Sequence, residues 1–297
     1  MSSIAEELVV RKSNLNEFKI LTERILSHMQ NTLTSYKNAA QYRIYSSTIA
    51  GTTKFIRPVN SKMFYFDPED FNKGYERLKD LLAKLRRVGK SSLKEDELFI
   101  IDSVLYTIQQ SLGIGMDLLL NSNSARKHIG NRFEELIKVI FDEIGIANNK
   151  SILKIPYETE AGTKIYKCEN DLILSPHSEV KSTSSKLDDT EIVVSIKTTS
   201  KDRMGKIFID KLLLEKFVGH KQKIIGIFLN DVQRKETDKI SFTLVSGLFM
   251  VYSTFLTELE GVYYFDLPPN GYKEPFKKYM STFSTLISSD IFDLLSS

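Results

Sequence analysis

The sequence predicts an α/β core that follows a helical N-terminal region. After about residue 125 the apolar runs occur in the order strand, strand, helix, strand, at residues 167–174, in EIVVSIKTT, at residues 203–218 and in KIIGIFLN. This order is typical of an α/β sheet with a crossover helix. Before residue 120 the apolar residues recur mainly at helical spacing. We therefore expect a mixed sheet flanked by helices, preceded by a mostly helical segment.

Three stretches carry the helical prediction for the N-terminal region. The apolar residues with helical spacing are Phe18, Leu21, Ile25 and Met29 in the first stretch, and Leu78, Leu81, Leu82 and Leu85 in the second. Residues 97–120 form a third, more apolar stretch, in which Gly113 and Gly115 are interpreted as a packing pair. A polar stretch at residues 121–124 predicts a boundary, which divides the chain into residues 1–122 and 123–297.

Composition excludes several classes of protein. The chain has 297 residues, of which 41% are hydrophobic and 27% charged, as expected for a folded chain and not for a disordered one. Its 41 Lys and Arg against 38 Asp and Glu give a net charge of +3, too small alone to indicate an acidic partner. The single cysteine, Cys168, excludes an intramolecular disulfide and favours a reducing compartment. With neither a signal-like N-terminus nor a long apolar stretch, we expect a cytoplasmic protein without membrane contact.

The residues whose side chains are capable of catalysis or metal binding lie at the edges of two predicted strands. Asp171 precedes the apolar LIL, and Lys197 ends VVSIK. Strand alternation places Ser195 and Lys197 on one face. A lysine beside an apolar strand needs a partner, because an unpaired buried ammonium is costly. Asp171 on the neighbouring strand is that partner, either as a structural ion pair or as part of a site that holds a divalent metal and orients a water.

A helix predicted at residues 126–146 adds one acid to this group. Its apolar stripe consists of Phe133, Leu136, Ile137, Ile140, Phe141 and Ile144. Glu134 lies at the border of the stripe, from where it can reach the core, while Glu135 is expected to be solvated. The alternative for Glu134 is an i,i+4 ion pair with Lys138.

The segment after Lys197 is rich in basic residues and opens the next helix with Lys201, Asp202 and Arg203. A solvated basic helix would account for the charge but not for this triplet. Lys and Arg donate to guanine in the DNA major groove, and a carboxylate accepts from cytosine. An aspartate would only repel the phosphate backbone, so the triplet favours contacts to bases.

Together these motifs resemble type II restriction endonucleases of the PD-(D/E)xK superfamily, specifically the CCGG-family and EcoRII-like branch. The resemblance covers about residues 126–230. It includes the metal-binding aspartate, at Asp171, and a Ser-x-Lys strand, at Ser195 and Lys197. It also includes a KTT-x-(K/R)-(D/E)-R stretch at residues 197–203 and an upstream R…G-x-x-(F/L)-E helix, which GNRFE reproduces at Glu134.

In this family an acid on the following helix replaces the missing strand carboxylate. The best match is Asp210, thirteen residues after Lys197, and Glu215 is a weaker candidate. The resemblance thus implies a restriction-endonuclease-like fold in which Asp171 and Asp210 ligate Mg²⁺ and Lys197 acts on the attacking water. Ser195 and Glu134 would support that site.

The resemblance also implies partners. Lys201, Asp202 and Arg203 would read a palindromic double-stranded DNA site containing CC and GG. Cleavage of both strands requires at least a homodimer, with a higher oligomer open, and residues 1–122 would serve dimerisation or contacts to flanking DNA. A cognate DNA methyltransferase is expected in the same cell. The alternatives are a structure-selective repair or recombination nuclease of the same fold, and a DNA-binding protein without catalysis.

Overall fold

The computed structural model of the chain describes residues 2–49 and 51–296. The N-terminal part contains α1 (Ile4–Val9), α2 (Leu15–Thr32), β1 (Ser35–Ala39), β2 (Tyr42–Ile49), β3 (Thr52–Asn60), α3 (Pro68–Val88) and α4 (Glu95–Leu119). The rest contains α5 (Ser122–Glu143), β4 (Ala147–Thr159), β5 (Gly162–Ser175), β6 (Ile192–Lys197), α6 (Met204–Val218), β7 (Lys223–Phe228), β8 (Val232–Arg234), β9 (Ile240–Phe242), α7 (Ser246–Phe255), β10 (Gly261–Tyr264), β11 (Met280–Thr282), α8 (Phe283–Thr285) and α9 (Ile291–Ser296). Short 3₁₀ segments occur at Lys201–Arg203, Pro269–Tyr272 and Phe276–Lys278, and a π-helical turn at Leu286–Asp290.

A mixed sheet forms the centre of the molecule. Within the described residues it has six strands in the order β11-β10-β7-β6-β5-β4. Strands β6, β7, β10 and β11 are parallel to one another, whereas β5 pairs antiparallel with both β6 and β4. Helix α6 makes the crossover between β6 and β7. The predicted mixed sheet flanked by helices is confirmed.

The two faces of the sheet are covered by different helices. Leu172, Val194 and Ile225 belong to a core that includes the apolar stripe of α5 and most of α4. On the opposite face, Val193 and Ile224 belong to a second core, to which α6 and α7 contribute. Successive strand residues thus enter opposite cores, as the period of two in a strand requires.

The N-terminal part contains the predicted helices and one sheet that was not predicted. The three apolar stretches form α2, α3 and α4, and their stripe residues are buried. Strands β1, β2 and β3 form an antiparallel sheet in a segment expected to be mostly helical, with few strand patterns. In β2 both Ile44 and Tyr45 are buried, and the register with β3 shifts between Ile44 and Ser46, so the alternation that signals a strand is lost. Among the described residues no helix is long and apolar enough to cross a membrane.

A buried acid joins this small sheet to the central one. Asp266, just after β10, accepts hydrogen bonds from the Tyr42 hydroxyl and the Asn60 amide, both at 2.9 Å. The N-terminal sheet is therefore held at the carboxyl end of the parallel strands.

The expected division between residues 122 and 123 lies in the first turn of α5, and one hydrophobic core contains residues from both sides of it. The division into two regions stays a prediction.

A second buried acid joins α4 to the C-terminal helices. Asp102 is enclosed and accepts hydrogen bonds from the backbone N–H of Ser284 at 2.8 Å and from its hydroxyl at 2.5 Å. Burial raises the pKa of Asp102 to about 8, against an ordinary value of 3.8, and raises the pKa of Asp266 to about 6. The folded state therefore binds protons that the unfolded chain has already released over this pH range.

We expect the contribution of Asp102 to the free energy of unfolding to fall as pH rises from 3.8 to about 8. These two values are the ordinary pKa of Asp102 and its pKa in the folded state. Asp102→Asn keeps an acceptor for the Ser284 N–H and removes the titration. The difference in melting temperature between wild type and Asp102→Asn should therefore shrink and then reverse over this interval. Calorimetry at several pH values measures it, and a difference that does not change with pH would contradict the assignment.

Candidate active site

Asp171 stands where two strands of the central sheet separate. The pairing of β5 with β6 ends at Leu172 and Val194. Beyond that point the backbone N–H of Ile196 donates to the Asp171 Oδ2 at 2.8 Å. On the other edge of β5 the register shifts, so that Asp171 and Leu172 both lie opposite Lys150. Such a bulge re-aims a side chain, here the Asp171 carboxylate towards the end of β6.

Lys197 forms an ion pair with this carboxylate. Its Nζ donates to the Asp171 Oδ2, and both side chains are largely buried. Ile196 belongs to the core on the α5 face, whereas Ser195 and Lys197 lie on the α6 face. The predicted alternation and the predicted pairing of Asp171 with Lys197 are thus present in the structure.

A cavity of about 320 Å³ lies between the separating strands and α6. Asp171, Ser195, Lys197, Arg203 and Asp210 all line it. Helix α6 contributes Asp210, and Arg203 directly precedes the helix; residues seven positions apart lie on the same helical face. One cavity thus collects five of the residues that the sequence indicated.

Asp210 is the acid of α6 that faces this cavity. Its Oδ1 accepts from the Lys206 Nζ at 2.7 Å, one helical turn earlier. Asp210 also adds to the effect of burial in raising the pKa of the Cys168 thiol. Glu215 lies elsewhere and accepts the backbone N–H of Gln222 at 3.2 Å, ahead of β7. Of the two candidates for the displaced acid, only Asp210 lines the cavity.

Glu134 approaches Asp171 from the opposite side of β5. Both line a neighbouring cavity of about 440 Å³ together with Lys150, whose Nζ lies 3.2 Å from the Glu134 Oε2. Burial, followed by the charge of Asp171, raises the pKa of Glu134. The alternative pairing of Glu134 with Lys138 is wrong, because Lys138 pairs with Asp142 at 3.0 Å. Glu134 therefore remains available to the Asp171 site.

Glu135 is not solvated as expected. It accepts the backbone N–H of Lys12 at 2.9 Å and pairs with Arg132 at 2.6 Å. Arg132 is buried, and a buried guanidinium needs a carboxylate partner. Glu135 thus ties the segment between α1 and α2 to α5, a contact that a single-helix projection cannot show.

The predicted base-reading triplet forms a single 3₁₀ turn between β6 and α6. Lys201 and Arg203 are exposed, and Arg203 also lines the cavity. The Asp202 side chain lies outside the described part of the structure. The turn that follows Lys197 therefore places the exposed Arg203 at the cavity that Asp171 and Lys197 line.

Asp231 holds the start of this turn and was not singled out from the sequence. Its Oδ1 accepts from the Ser200 N–H and the Thr243 hydroxyl, and its Oδ2 from the Tyr264 hydroxyl, each at 3.0 Å. Burial raises the pKa of Asp231. The signal in the sequence is an acid directly after the apolar run KIIGIFLN.

Asn170 is a second residue that the sequence analysis missed. It precedes Asp171, is only 5% exposed and lines the 320 Å³ cavity. Its Nδ2 is buried without a hydrogen-bond partner among the described residues. A buried amide without an acceptor is costly, so this donor suits an oxygen-rich ligand in the cavity.

The donor set fits Mg²⁺, although the described residues contain no cluster of three or more His, Cys, Asp or Glu able to hold a metal ion. Mg²⁺ in proteins is commonly held by one or two carboxylates and keeps several waters. Asp171 and Asp210 supply two carboxylates to one cavity. Each is paired with a lysine, Asp171 with Lys197 and Asp210 with Lys206.

One solved structure with the same fold is that of a restriction endonuclease. The crystal structure of the type IIP restriction endonuclease Kpn2I matches with a TM-score of 0.76 and 16% identity, over 99% of this chain and 97% of that chain. The complex of the restriction endonuclease PspGI with substrate DNA matches with a TM-score of 0.40 and 12% identity, over 76% of this chain and 93% of that chain. No protein-family profile and no curated protein sequence matches the chain. The likeness to Kpn2I shows that the chain has a restriction-endonuclease-like fold.

We expect Asp231→Ala to lower the free energy of unfolding by about 2–4 kcal/mol, because it leaves the buried Ser200 N–H and two hydroxyls without their acceptor. Denaturant unfolding measures this change. Asp189→Ala, at an exposed acid, is the matched control and should stay within about 0.5 kcal/mol of wild type. Equal stabilities of the two variants would show that Asp231 does not hold the turn.

Proposed function

We propose that the chain is a Mg²⁺-dependent, sequence-specific endonuclease of double-stranded DNA, a type II restriction enzyme of the CCGG-family and EcoRII-like branch. The observation that carries the proposal is the cavity in which Asp171, Lys197 and Asp210 meet beside an exposed basic turn. The restriction-endonuclease-like fold, shared with Kpn2I over 99% of the chain, supports the same assignment.

In this proposal Asp171 and Asp210 hold Mg²⁺. The bound ion would supply positive charge to the scissile phosphate and lower the pKa of a water. The Lys197 ammonium donates to the attacking water and to a phosphate oxygen, which stabilises the extra negative charge of the transition state. Water adds to phosphorus and loses a proton to the surrounding solvent, while the bond to the leaving oxygen breaks and that oxygen takes up a proton from the solvent. Lys197 is already aligned for this role, because Asp171 fixes its Nζ at the cavity.

Three further residues support the centre. Ser195 lines the cavity as a hydrogen-bonding group but lacks the charge to replace a carboxylate. Glu134 acts on the far side of Asp171, directly or through a water, and its pKa is raised by burial and then by the charge of Asp171. Asn170 offers its free amide N–H to a phosphate or water oxygen.

Recognition is assigned to the turn that leads into α6. Lys201 and Arg203 would donate to guanines, and Asp202 would accept from cytosines, in a palindromic site that contains CC and GG. Asp231 anchors this turn through the Ser200 N–H. The base-reading residues and the catalytic Lys197 would therefore lie on one short segment, residues 195–203.

A palindromic site requires two chains, and we propose a homodimer. The α6–α7 surface carries exposed apolar side chains, among them Ile209, Val251 and Phe255, the last 82% exposed. We propose that the exposed apolar side chains of these two helices are the surface that meets the second chain. A higher oligomer remains compatible with this surface. A cognate DNA methyltransferase in the same cytoplasm belongs to the same proposal, because host DNA must be protected from cleavage.

Lys197→Ala and Asp171→Ala should each lower the rate of plasmid cleavage in Mg²⁺ by at least about 100-fold, since each removes a group that acts on the transition state. Binding of duplex DNA in EDTA should persist in both variants, as measured by gel shift. If the two residues formed only a structural ion pair, cleavage would continue at the wild-type rate whenever the variant is folded. That result would remove both from the catalytic centre.

Asp210→Asn and Glu215→Gln remove the same charge from the same helix, and only Asp210 lines the cavity. We expect Asp210→Asn to abolish Mg²⁺-dependent cleavage and Glu215→Gln to cleave at about the wild-type rate. The cleavage assay is paired with a thermal melt to confirm that both variants fold. The reverse order of activities would assign the displaced acid to Glu215.

A further inference from the structure

A second cleft, of about 790 Å³, lies away from the Asp171 cavity. Strand β3, the end of α4, the start of α5 and strand β8 form its walls. The charged residues that line it are Lys54, Arg57, Arg126, Arg234 and Asp117. Four cations face one carboxylate, a marked excess in a chain whose net charge is only +3.

Arg57 is held in a defined position within this cleft. Its Nε and Nη2 donate to the two carboxylate oxygens of Asp117, both at 2.8 Å. The guanidinium lies over Gly113 of α4, where a Cβ atom would overlap it. The glycine interpreted from the sequence as part of a packing pair thus makes room for a charged group. A forked pair of this kind fixes the orientation of the guanidinium.

The other cations are arranged on either side of Arg57. Lys54 and Arg126 are exposed, on β3 and α5 respectively. The Arg234 guanidinium lies 5.7 Å from the centre of the Phe55 ring, which restricts its motion. Cations on three separate elements form an extended positive surface, which suits a chain of phosphates better than one small anion.

The cleft is connected to the proposed DNA-binding site through two elements. Strand β8 begins directly after Asp231, which anchors the Lys201–Arg203 turn. Helix α5 carries Arg126 in the cleft and Glu134 beside Asp171. Eight residues of helix span about 12 Å. That length corresponds to roughly three or four base pairs of duplex, at about 3.4 Å each.

We propose that this basic cleft binds backbone phosphates of the DNA that flanks the cleaved site, a few base pairs away from the cut. The inference rests on the proposed endonuclease function and adds a contact independent of sequence to it. Phosphate contacts position a protein on the duplex without reading bases. Lys54, Arg126 and Arg234 supply this kind of contact, and Arg57, whose Nε and Nη2 already donate to Asp117, adds only its remaining N–H groups.

The test is the salt dependence of DNA binding. Binding of a 30-bp duplex (about three helical turns) is measured in EDTA by fluorescence anisotropy over a range of salt concentrations. The double variant Lys54→Gln/Arg126→Gln should make the negative slope of log K against log salt shallower by about 2. Each lost phosphate contact accounts for about 0.9 of that slope. The control combines Lys73→Gln with Lys79→Gln, exposed lysines of α3 that pair with acids of their own helix, and should leave the slope unchanged.

Gly113→Ala tests the geometry at constant net charge. The added methyl displaces the Arg57 guanidinium, and the negative slope should become shallower by about 1. Alanine favours a helix interior over glycine, so α4 is expected to persist, and a circular-dichroism melt checks this.

Two results would overturn the proposal. The first is an equal slope in the cleft variant and the α3 control. The second combines two observations. Inorganic phosphate raises the melting temperature of the wild type but not of the cleft variant, and the slope is the same in both. This result would indicate a site for a free anion. Cleavage of plasmid DNA by wild type in Mg²⁺ is recorded in parallel. Its absence counts against the endonuclease proposal, whereas equal slopes with cleavage count against the cleft alone.

Discussion

The separation of β5 from β6 at Asp171 is the constraint on which the candidate site depends. Past Leu172 and Val194 the two strands no longer pair, and the Asp171 carboxylate takes over as acceptor for the Ile196 N–H. The same carboxylate holds the Lys197 ammonium. The Asp171 carboxylate therefore satisfies the Ile196 N–H where the two strands no longer pair. The cavity lies at this point, where continuous pairing of the strands would have left no space. The polar groups of the candidate site and the geometry of the sheet therefore depend on the same residue, Asp171.

Elsewhere in the chain, buried acids hold separate elements together through hydrogen bonds. Asp231 fixes the turn after β6, Asp266 ties the N-terminal sheet to the carboxyl end of β10, and Asp102 ties α4 to the C-terminal helices. Each accepts hydrogen bonds from backbone or side-chain donors, which compensates for part of the cost of burying a carboxyl group. The rigidity of the site edge thus comes from polar contacts as well as from the two hydrophobic cores.

Local sequence patterns were sufficient for helices α2 to α6 and for strands β5, β6 and β7 of the central sheet. The stripes of α2, α3 and α5 and the alternation of Val193, Ser195 and Lys197 are visible in the sequence because each repeats at the period of its element. The β1–β3 sheet was missed because its register shift and two-sided burial remove that period. Asn170, Asp231 and the partners of Glu134 and Glu135 were missed for another reason. Their contacts join segments far apart in sequence, and no local pattern encodes such pairs.

The central claim is that one chain combines base recognition and metal-dependent hydrolysis on the segment from β6 to α6. Digestion of a sequenced phage DNA with Mg²⁺, followed by sequencing of all fragment ends, tests it most directly. The account predicts discrete fragments, absent in EDTA, whose ends share one palindromic sequence that contains CC and GG. Ends scattered over many sequences, or DNA that remains intact in Mg²⁺, would contradict it.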